Sequence, residues 1–305
     1  MVSARALGLL AGYLADRIWG DPARAHPVAG FGAVATRLER HVYADDRRAG
    51  ATHTATLVGG AALAGIAVER ATAQRPVVRF LATAATTWAV LGGRSLEDEA
   101  IAVRDLLAAG DLPAARGRLT HLVGRDTDGL DESGIARAVI ESVAENTSDA
   151  VVAPLLAGAV AGIPGLIAYR AANTLDAMVG HRNDRYTHFG WAAARLDDIL
   201  NWLPARITAT LAALLAPAVG GRPSDAFGVW RRDAAGHPSP NAGPVEAAFA
   251  GALGVQLGGV NQYGGHAEDR HALGDGRRAE PGDIEAAARL ARLVGDATIS
   301  FLLPT

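Results

Sequence analysis

The chain has 305 residues, half of them hydrophobic and a fifth charged, and its formal net charge is −3 at pH 7. This balance leaves no basic surface large enough to indicate nucleic-acid binding. Cysteine is absent, which excludes disulfides, thiolate nucleophiles and cysteine metal sites. Lysine is absent as well, which excludes Schiff-base chemistry and the lysine of a Walker A loop. Phosphate binding would therefore depend on arginine, histidine, backbone amides or a metal.

Several stretches are apolar enough to cross or enter a bilayer. They are residues 6–15, 54–68, 77–93, 150–169, 202–220 and 247–264. The second and third are joined by a short polar turn, which predicts a helical hairpin. Only 150–169 reaches the roughly 20 residues that a clean spanning helix needs. The soluble alternative is an all-α globule with buried alanine-rich helices.

The polar segments between these runs also predict helices. Residues 94–109 carry apolar side chains on one helical face, which is typical of an amphipathic helix. Asp111, followed by Pro113, predicts the start of a helix to about Val123, and a third helix begins near Asp131. No strand alternation and no internal repeat is found. The predicted fold class is all-α: a polytopic membrane helical bundle with re-entrant or broken helices and amphipathic helical loops. We predict one integral-membrane domain over 1–305, with a polar helical insertion at about 94–149.

The segment "ESVAENTSDAVVAPLLAGAVAGIPGLIAY", residues 141–169, places three acids at the edge of an apolar run. Glu141, Glu145 and Asp149 recur every four residues and so share one face of a helix. Such a row can simply be a solvated acidic face. Its position beside Asn146 and before an uncharged run favours a metal or a cationic substrate instead.

Other chemically capable groups lie in short, constrained segments at the ends of apolar runs. They are Arg125 in "VGRDTDGLDE"; Arg170, Asn173, Asp176, His181 and Arg182 in "YRAANTLDAMVGHR"; Asp197 in "RLDDILNWLPAR"; and His237 and Asn241 in "HPSPNAG". A histidine at a helix end is often only a partner of the helix dipole. Carboxylates with asparagine are the ligand set of Mg²⁺ on phosphates, and arginine binds phosphate oxygens in bidentate fashion. Together these groups predict magnesium-assisted chemistry on a phosphorylated substrate.

Five phrases, in order from about residue 7 to about 265, resemble adenosylcobinamide-phosphate synthase, the CobD/CbiB family of cobalamin biosynthesis. They are "GDPARAHPV", "VGRDT", "ARAVIESVAENTSDAVVAPLLAGAVAGIPGLIAYRAANTLDAMVGHR", "RYTHFGWAAARLDDILNWLPAR" and "HPSPNAGPVEAAFAGALGVQLGG". The resemblance implies a multi-pass protein of the cell membrane. It also implies ligation of a carboxylate of adenosylcobyric acid to the amine of (R)-1-aminopropan-2-ol O-phosphate, or of a related amino alcohol, at the expense of ATP. Other late cobalamin-assembly enzymes are the implied protein partners, beside membrane lipid, and no nucleic acid is expected.

That reaction needs an activated carboxylate, neutralisation of negative charge and a group that takes a proton from the amine. The resulting hypothesis gives Glu141, Glu145 and Asp149 to Mg²⁺ and ATP, with Asn146 as a helper. Arg170, His181 and Arg182 would hold phosphate groups, and Asp197 or His237 would be the base. Asn173 and Asp176 would position the substrate, and Arg125 and Asn241 are further candidate binding residues.

Two other functions stay open at this point. One is a different magnesium-dependent membrane enzyme, of the CDP-alcohol phosphotransferase or prenyl-diphosphate transferase type, since these also place aspartates every four residues at helix ends. The other is a non-catalytic membrane protein that binds, transports or senses an anion. ATP turnover that requires both a corrinoid acid and an amino-alcohol phosphate would distinguish them.

The topology of 150–169 is a separate prediction. A straight spanning helix there would hold the acid row and the "NTLDAMVGHR" block about 30 Å apart, so no single site could use both. Pro154 and the "GIPG" sequence at 162–165 allow a break, because proline removes a helix hydrogen bond and glycine lets the backbone turn. We predict that the segment is broken near Gly162–Gly165 and re-enters or lies buried, with Glu145 and His181 converging on one cavity.

Overall fold

The computed structural model of this protein describes residues 4–21, 26–181, 183–263 and 265–303. Within that part of the chain the secondary structure is helical, apart from one β-hairpin, as the all-α prediction requires. The chain divides into two compact units. Unit 1 comprises Met1–Gly92, Asp149–Asn201 and Thr298–Thr305, and unit 2 comprises Gly93–Ser148 and Trp202–Ala297. The expectation of a single domain over 1–305 stays a prediction.

The helices follow one another with short connections. In chain order they are α1 (Ala4–Trp19), α2 (Pro27–Val42), α3 (Arg47–Thr72), α4 (Pro76–Val90), α5 (Gly93–Ala108), α6 (Leu112–Leu119), α7 (Glu132–Thr147), α8 (Ala153–Val179), α9 (Trp191–Leu215), α10 (Pro223–Asp233), α11 (Ala242–Leu253) and α12 (Pro281–Leu302). Short 3₁₀ segments at Ala216–Val219 and Ala234–Gly236 and a π-helical turn at Ser148–Val152 complete the helical part.

Local sequence signals mark several of these boundaries. The predicted amphipathic helix is α5, and α3 and α4 form the predicted pair of helices joined by a short turn. Asp111 caps α6, since Oδ1 accepts a hydrogen bond from the Ala114 amide at 3.1 Å. Asp131 caps α7 in the same way through the Gly134 amide at 2.8 Å. The predicted extension of α6 to about Val123 is wrong, because the chain passes into turns after Leu119.

Three helical segments of the described chain are long and apolar enough to cross a membrane. They are Arg47–Thr72, Glu132–Val179 and Trp191–Val219. They contain the predicted apolar runs 54–68 and 150–169 and all but the last residue of 202–220. The run 77–93 falls mostly in α4, whose 15 residues are fewer than a spanning helix needs. The chain therefore has the composition of an all-α membrane protein.

Helix α8 reverses direction at Gly162, as the "GIPG" sequence predicts. Gly162 has φ 66° and ψ −147°, a backbone conformation that only glycine adopts readily, and Pro164 follows inside the same helix. The two arms then fold against each other. A Cβ atom on Gly158 would lie only 2.7 Å from Cδ2 of Leu166, a residue that a straight helix would place about 12 Å further along its axis. The segment is thus an antiparallel helical hairpin, and the prediction of a segment broken near Gly162–Gly165 is confirmed.

Charged side chains hold the tip of this hairpin in place within unit 1. Arg5 donates from Nη1 to the Ala159 carbonyl at 3.3 Å and from Nη2 to Glu69 Oε1 at 2.9 Å. Arg79 donates to the same Glu69 oxygen at 2.6 Å. The first arm ends at the tip with carbonyls that have no helical partner, so an arginine there provides both a donor and a favourable charge. The carboxylate of Glu69 lies against Gly162, where a side chain would displace it.

The hairpin of strands β1 (Leu257–Tyr263) and β2 (His266–Leu273) corrects the absence of strands in the sequence analysis. The strands pair antiparallel, with a register shift between Gly258 and Val260. The apolar run 247–264 is accordingly wrong as a membrane segment. Its first half completes α11, and Gly254, in a left-handed conformation, ends that helix before β1. The glycines make the sequence of this run appear apolar, but they do not make the run helical.

Candidate functional site

The hairpin in α8 brings polar groups from three separate stretches of unit 1 to one place. Nδ2 of Asn173 lies 3.4 Å from Oδ2 of Asp149 and 3.3 Å from Oδ1 of Asp197. Asp149 comes from the π-helical turn, Asn173 from the second arm of α8 and Asp197 from α9. One amide therefore faces two carboxylates. We call Asp149, Asn173 and Asp197 the carboxylate–amide cluster.

The π-helical turn changes the direction in which the side chain of Asp149 points. A π-turn inserts one extra residue into a helix and rotates the side chains that follow it, and such turns occur frequently at functional sites. The turn begins at Ser148, directly after α7, so the exact four-residue spacing of the acid row is interrupted. Asp149 and the two earlier acids belong to different units. The three acids that recur every four residues in the sequence therefore do not all belong to one α-helix.

Arg170 adds a cation beside the cluster. Its Nη1 lies 3.4 Å from Oδ1 of Asn173, a long hydrogen bond. Its Nε is buried and has no hydrogen-bond partner among the described residues. A buried guanidinium donor without an acceptor carries a free-energy cost, which an anionic ligand would relieve.

The remaining candidates of unit 1 lie near the end of the same helix. Asp176 is one turn beyond Asn173, and its carboxylate lies against Gly180. His181 follows directly after the end of α8 and is exposed. Arg182 lies outside the described residues, so its predicted phosphate role stays a prediction. The predicted convergence of His181 with Glu145 also stays a prediction.

Unit 2 holds a second buried polar group, built around Glu141. Arg125 Nη2 lies 2.5 Å from Glu141 Oε2, and the Gly258 amide donates to Glu141 Oε1 at 2.7 Å. Arg125 also donates to Oδ1 of Asn261 at 2.9 Å. Both carboxylate oxygens of Glu141 are therefore engaged, and they join α7 to strand β1. In this arrangement Glu141 and Arg125 form a structural ion pair. The predicted roles of Glu141 at a metal and of Arg125 at a ligand stay predictions.

His237 and Glu246 form a further buried pair in unit 2. His237 Nε2 lies 3.8 Å from Glu246 Oε2, and both side chains are almost fully buried. Within the described part of the chain, Nε2 of His237 and Oε1 of Glu246 have no hydrogen-bond partner. Burial lowers the pKa of His237 to about 4, helped by the positive charge of Arg270. Burial and the negative charges of Glu141 and Glu145 raise the pKa of Glu246 well above its ordinary range. At pH 7 the imidazole of His237 is therefore uncharged, and the shift at Glu246 favours the protonated form of its carboxyl group.

Two of the remaining candidates of unit 2 are engaged locally, and the predicted metal role of the third, Glu145 in the last turn of α7, stays a prediction. Asn146 donates to the Ser142 carbonyl of its own helix at 2.9 Å. Asn241 accepts a hydrogen bond from Arg206 Nη1 at 2.9 Å. No group of three or more His, Cys, Asp or Glu side chains that could hold a metal ion occurs in the described ranges. The carboxylate–amide cluster has two such residues, and its third member, Asn173, turns its amide nitrogen towards them.

Sequence reasoning missed three residues that the structure makes prominent: Tyr169, Asn201 and Glu246. Glu246 did carry a signal, since it is the single charged residue of α11, a helix whose residues are nearly all buried. An isolated acid in such a helix is costly and points to a role. Asn201 lies one helical turn after Asp197, but nothing in the sequence indicates that the two side chains bond. Tyr169 ends an apolar run and has no local signal.

Comparison with known proteins establishes the family of the chain. The family model described as CobD/Cbib protein matches residues 9–291. The chain belongs to this family. It is similar to the cobalamin biosynthesis protein CobD of Mycobacterium tuberculosis (strain ATCC 25618 / H37Rv), with 51% identity over 302 residues, covering 98% of this chain and 96% of the relative.

Two more distant relatives of the same name cover nearly as much of the chain. The protein of Chromobacterium violaceum is 47% identical over 290 residues, covering 93% of this chain and 91% of the relative. The protein of Geobacter metallireducens is 45% identical over 272 residues, covering 88% and 86%. No solved structure matches the chain. The CobD/CbiB resemblance of the five sequence phrases is thereby confirmed.

Proposed function

We propose that this CobD/Cbib family member acts in cobalamin biosynthesis as a ligase of the cell membrane with several membrane-crossing helices. It would join a carboxylate of the corrinoid adenosylcobyric acid to the amine of an amino-alcohol phosphate, (R)-1-aminopropan-2-ol O-phosphate or a relative. The reaction consumes ATP and releases ADP and phosphate. The names of the relatives support the pathway, and the chemistry of the site supports the reaction class.

The observation that carries the proposal is the placement of Asp149 and Asp197 around the amide of Asn173. Two carboxylates that face one point repel each other, and a shared cation would remove that repulsion. Polar and charged groups are expensive in segments apolar enough to cross a membrane, and they usually mark function. All three residues lie in two such segments, Glu132–Val179 and Trp191–Val219.

The donor set fits Mg²⁺. This ion prefers oxygen ligands and is usually held by one or two carboxylates together with substrate phosphates and water. In the proposal, Asp149 and Asp197 hold the ion, with the Asn173 side chain beside them. When bound, Mg²⁺ supplies positive charge that neutralises the phosphates of ATP. Asp197, which the sequence analysis gave as a candidate base, is thus proposed as a metal ligand instead.

The chain's own groups do the rest of the binding. Arg170, whose Nε has no acceptor among the residues that the structure describes, is proposed to bind a phosphate oxygen, and its planar guanidinium suits two oxygens at once. The carboxylate oxygen of the corrinoid acid attacks the terminal phosphate of ATP, which forms an acyl phosphate and releases ADP. The amine then attacks the acyl carbon, the carbon–oxygen bond breaks, and phosphate leaves.

The ammonium must lose one proton before or during that attack. His237 was the second candidate for this role. Its imidazole is uncharged at pH 7 and so able to accept a proton, but a pKa of about 4 makes it a weak base. We propose instead that a non-bridging oxygen of the acyl phosphate takes this proton before the attack, and that the departing phosphate oxygen takes the second proton, which the nitrogen loses as the amide forms, so that the phosphate leaves as H₂PO₄⁻.

The test is product formation by the purified full-length protein in detergent. ATP, Mg²⁺, the corrinoid acid and the amino-alcohol phosphate are supplied together and then with each one omitted. We expect ADP release only with both organic substrates present. A phosphotransferase of the CDP-alcohol or prenyl type would not need ATP. A non-catalytic anion-binding protein would bind the phosphates and release no ADP, and either result would contradict the proposal.

A further inference from the structure

The hydroxyl group of Tyr169 connects the two elements that carry the carboxylates. Tyr169 OH donates to Oδ1 of Asn201 at 2.7 Å and lies 3.0 Å from the backbone carbonyl oxygen of Asp149. Asn201 in turn donates from Nδ2 to Oδ2 of Asp197 at 2.9 Å. The hydroxyl therefore contacts the π-helical turn on one side and, through one amide, Asp197 on the other.

This chain of hydrogen bonds leaves little freedom. Tyr169 is 4% exposed and Asn201 is 1% exposed, so neither can exchange its partner for bulk water. The orientation of the Asn201 amide is fixed by its two bonds, with the oxygen towards the tyrosine and the nitrogen towards Asp197. Oδ2 of Asp197 is thus held in place, while Oδ1 faces Asn173.

We propose that Tyr169, acting through Asn201, is a positioning residue that sets the separation of Asp149 and Asp197 for a divalent cation. The inference rests on the proposed function, because it assumes that these carboxylates bind the metal. The contact of the Tyr169 hydroxyl with Asp149 is to the backbone carbonyl oxygen. Partners of this kind orient metal ligands, and their loss typically weakens metal binding 10–100-fold.

A purely structural tyrosine would stabilise the α8 hairpin and nothing more. The distinguishing variant is Tyr169→Phe, which keeps the ring in its packed position and removes only the hydroxyl. Tyr43→Phe is the matched control in the same unit, because the Tyr43 hydroxyl donates to the Arg185 carbonyl at 3.0 Å, away from the cluster. Asn201→Ala removes the next group in the chain of bonds.

The experiment titrates the purified full-length protein in detergent with Mn²⁺, a paramagnetic substitute for Mg²⁺, and follows free Mn²⁺ by electron paramagnetic resonance. We expect the Kd for Mn²⁺ to rise about tenfold in Tyr169→Phe and Asn201→Ala, with Tyr43→Phe like the wild type. The double variant should bind no more weakly than Asn201→Ala alone, since both changes break one chain of bonds. The Tm of each variant is recorded alongside.

Four outcomes would contradict the inference. Wild-type affinity in Tyr169→Phe, or fully additive effects in the double variant, would remove the positioning role while leaving the metal assignment intact. Loss of Mn²⁺ binding that follows a lower Tm in every variant, including Tyr43→Phe, would make the hydroxyl merely structural. A wild-type protein that binds no Mn²⁺ would contradict the metal assignment itself, and with it this inference.

Discussion

The side-chain amide nitrogen of Asn173 lies 3.4 Å from the carboxylate of Asp149, although 24 residues separate them. A straight helix would hold the two about 36 Å apart. The reversal of α8 at Gly162 removes that distance. The sequence of this segment is typical of a membrane-spanning helix. In the structure the chain instead folds back, so that the second arm of α8 returns to Asp149, from which the segment began.

The conformation of Gly162 should be intolerant of any side chain. With φ 66° and ψ −147°, an alanine would be strained, and its Cβ would also collide with the Glu69 carboxylate. We expect Gly162→Ala to lower the free energy of unfolding by about 2 kcal/mol or more. The measurement is the Tm of the purified protein in detergent.

Gly60→Ala is the control for that change. Gly60 is also in unit 1, in the middle of α3, and has open space around its Cα. Alanine favours a helix over glycine by up to about 1 kcal/mol, so the control should match or exceed the wild-type Tm. Equal Tm values for the two variants would mean that the chain does not reverse at Gly162.

Asp149→Asn keeps the size of the side chain and removes its charge. If Asp149 holds Mg²⁺, the rate of amide formation should fall at least ~10-fold and need more Mg²⁺ for half-saturation, with an unchanged Tm. Asp98→Asn is the control, since Asp98 pairs with Arg94 on an exposed surface. Normal turnover and magnesium dependence in Asp149→Asn would show that this carboxylate is not a ligand.

Arg170→Lys keeps the positive charge and loses the planar fork. We expect the KM for one phosphorylated substrate, ATP or the amino-alcohol phosphate, to rise about tenfold or more, because an ammonium cannot bond two oxygens in the same plane. Substrate titrations at saturating Mg²⁺ identify which of the two changes. An unchanged KM for both would remove Arg170 from the phosphate site.

The Arg125–Glu141 ion pair distinguishes a structural role from the predicted metal role of Glu141. Arg125→Ala leaves the buried carboxylate of Glu141 without its cationic partner. The free energy of unfolding should therefore fall by about 3–5 kcal/mol. Replacing both partners with apolar residues of similar size, Arg125→Met with Glu141→Leu, should restore most of the Tm. Wild-type Mn²⁺ affinity in that double variant is expected, and loss of binding at a normal Tm would instead support the metal role.

The stability of the protein should depend on the protonation of His237. Its folded pKa, about 4, lies below the ordinary value of 6.5, so the folded state binds fewer protons than the unfolded state between these values. The stabilisation is complete above pH 6.5 and is lost as the pH falls towards 4. We expect the drop in Tm from pH 7 to pH 4.5 to be smaller in His237→Asn, which cannot titrate there. An equal drop in Tm in the two proteins would mean that the imidazole of His237 is accessible to solvent and has its ordinary pKa.

Most of the helical framework follows from local sequence. Asp111 and Asp131 cap helices because a side-chain oxygen next to free amides is stabilised wherever it occurs. The break at Gly162 could be predicted because glycine and proline disturb a helix only within a few residues of their own position. These are short-range effects, so one sequence suffices to find them.

The site itself depends on contacts that no local pattern encodes. Asp197 and Asn173 meet because two helices pack, and the four-residue spacing of the acids does not reveal that a π-turn separates Asp149 from Glu145. Strand β1 was missed because its glycines resemble those of the apolar helices around it. The spacing also does not reveal that Glu141 forms a buried ion pair with Arg125, because these residues lie 16 positions apart.

The most direct test of the central claim is product formation by wild-type protein and by Asp197→Asn, followed by mass spectrometry. The account predicts that the wild type converts the corrinoid acid into a product heavier by the amino-alcohol phosphate minus one water, with one ADP and one phosphate released per product. Asp197→Asn, with a wild-type Tm, should form this product at least ~10-fold more slowly. Full activity in Asp197→Asn, or no amide product from the wild type, would contradict the account.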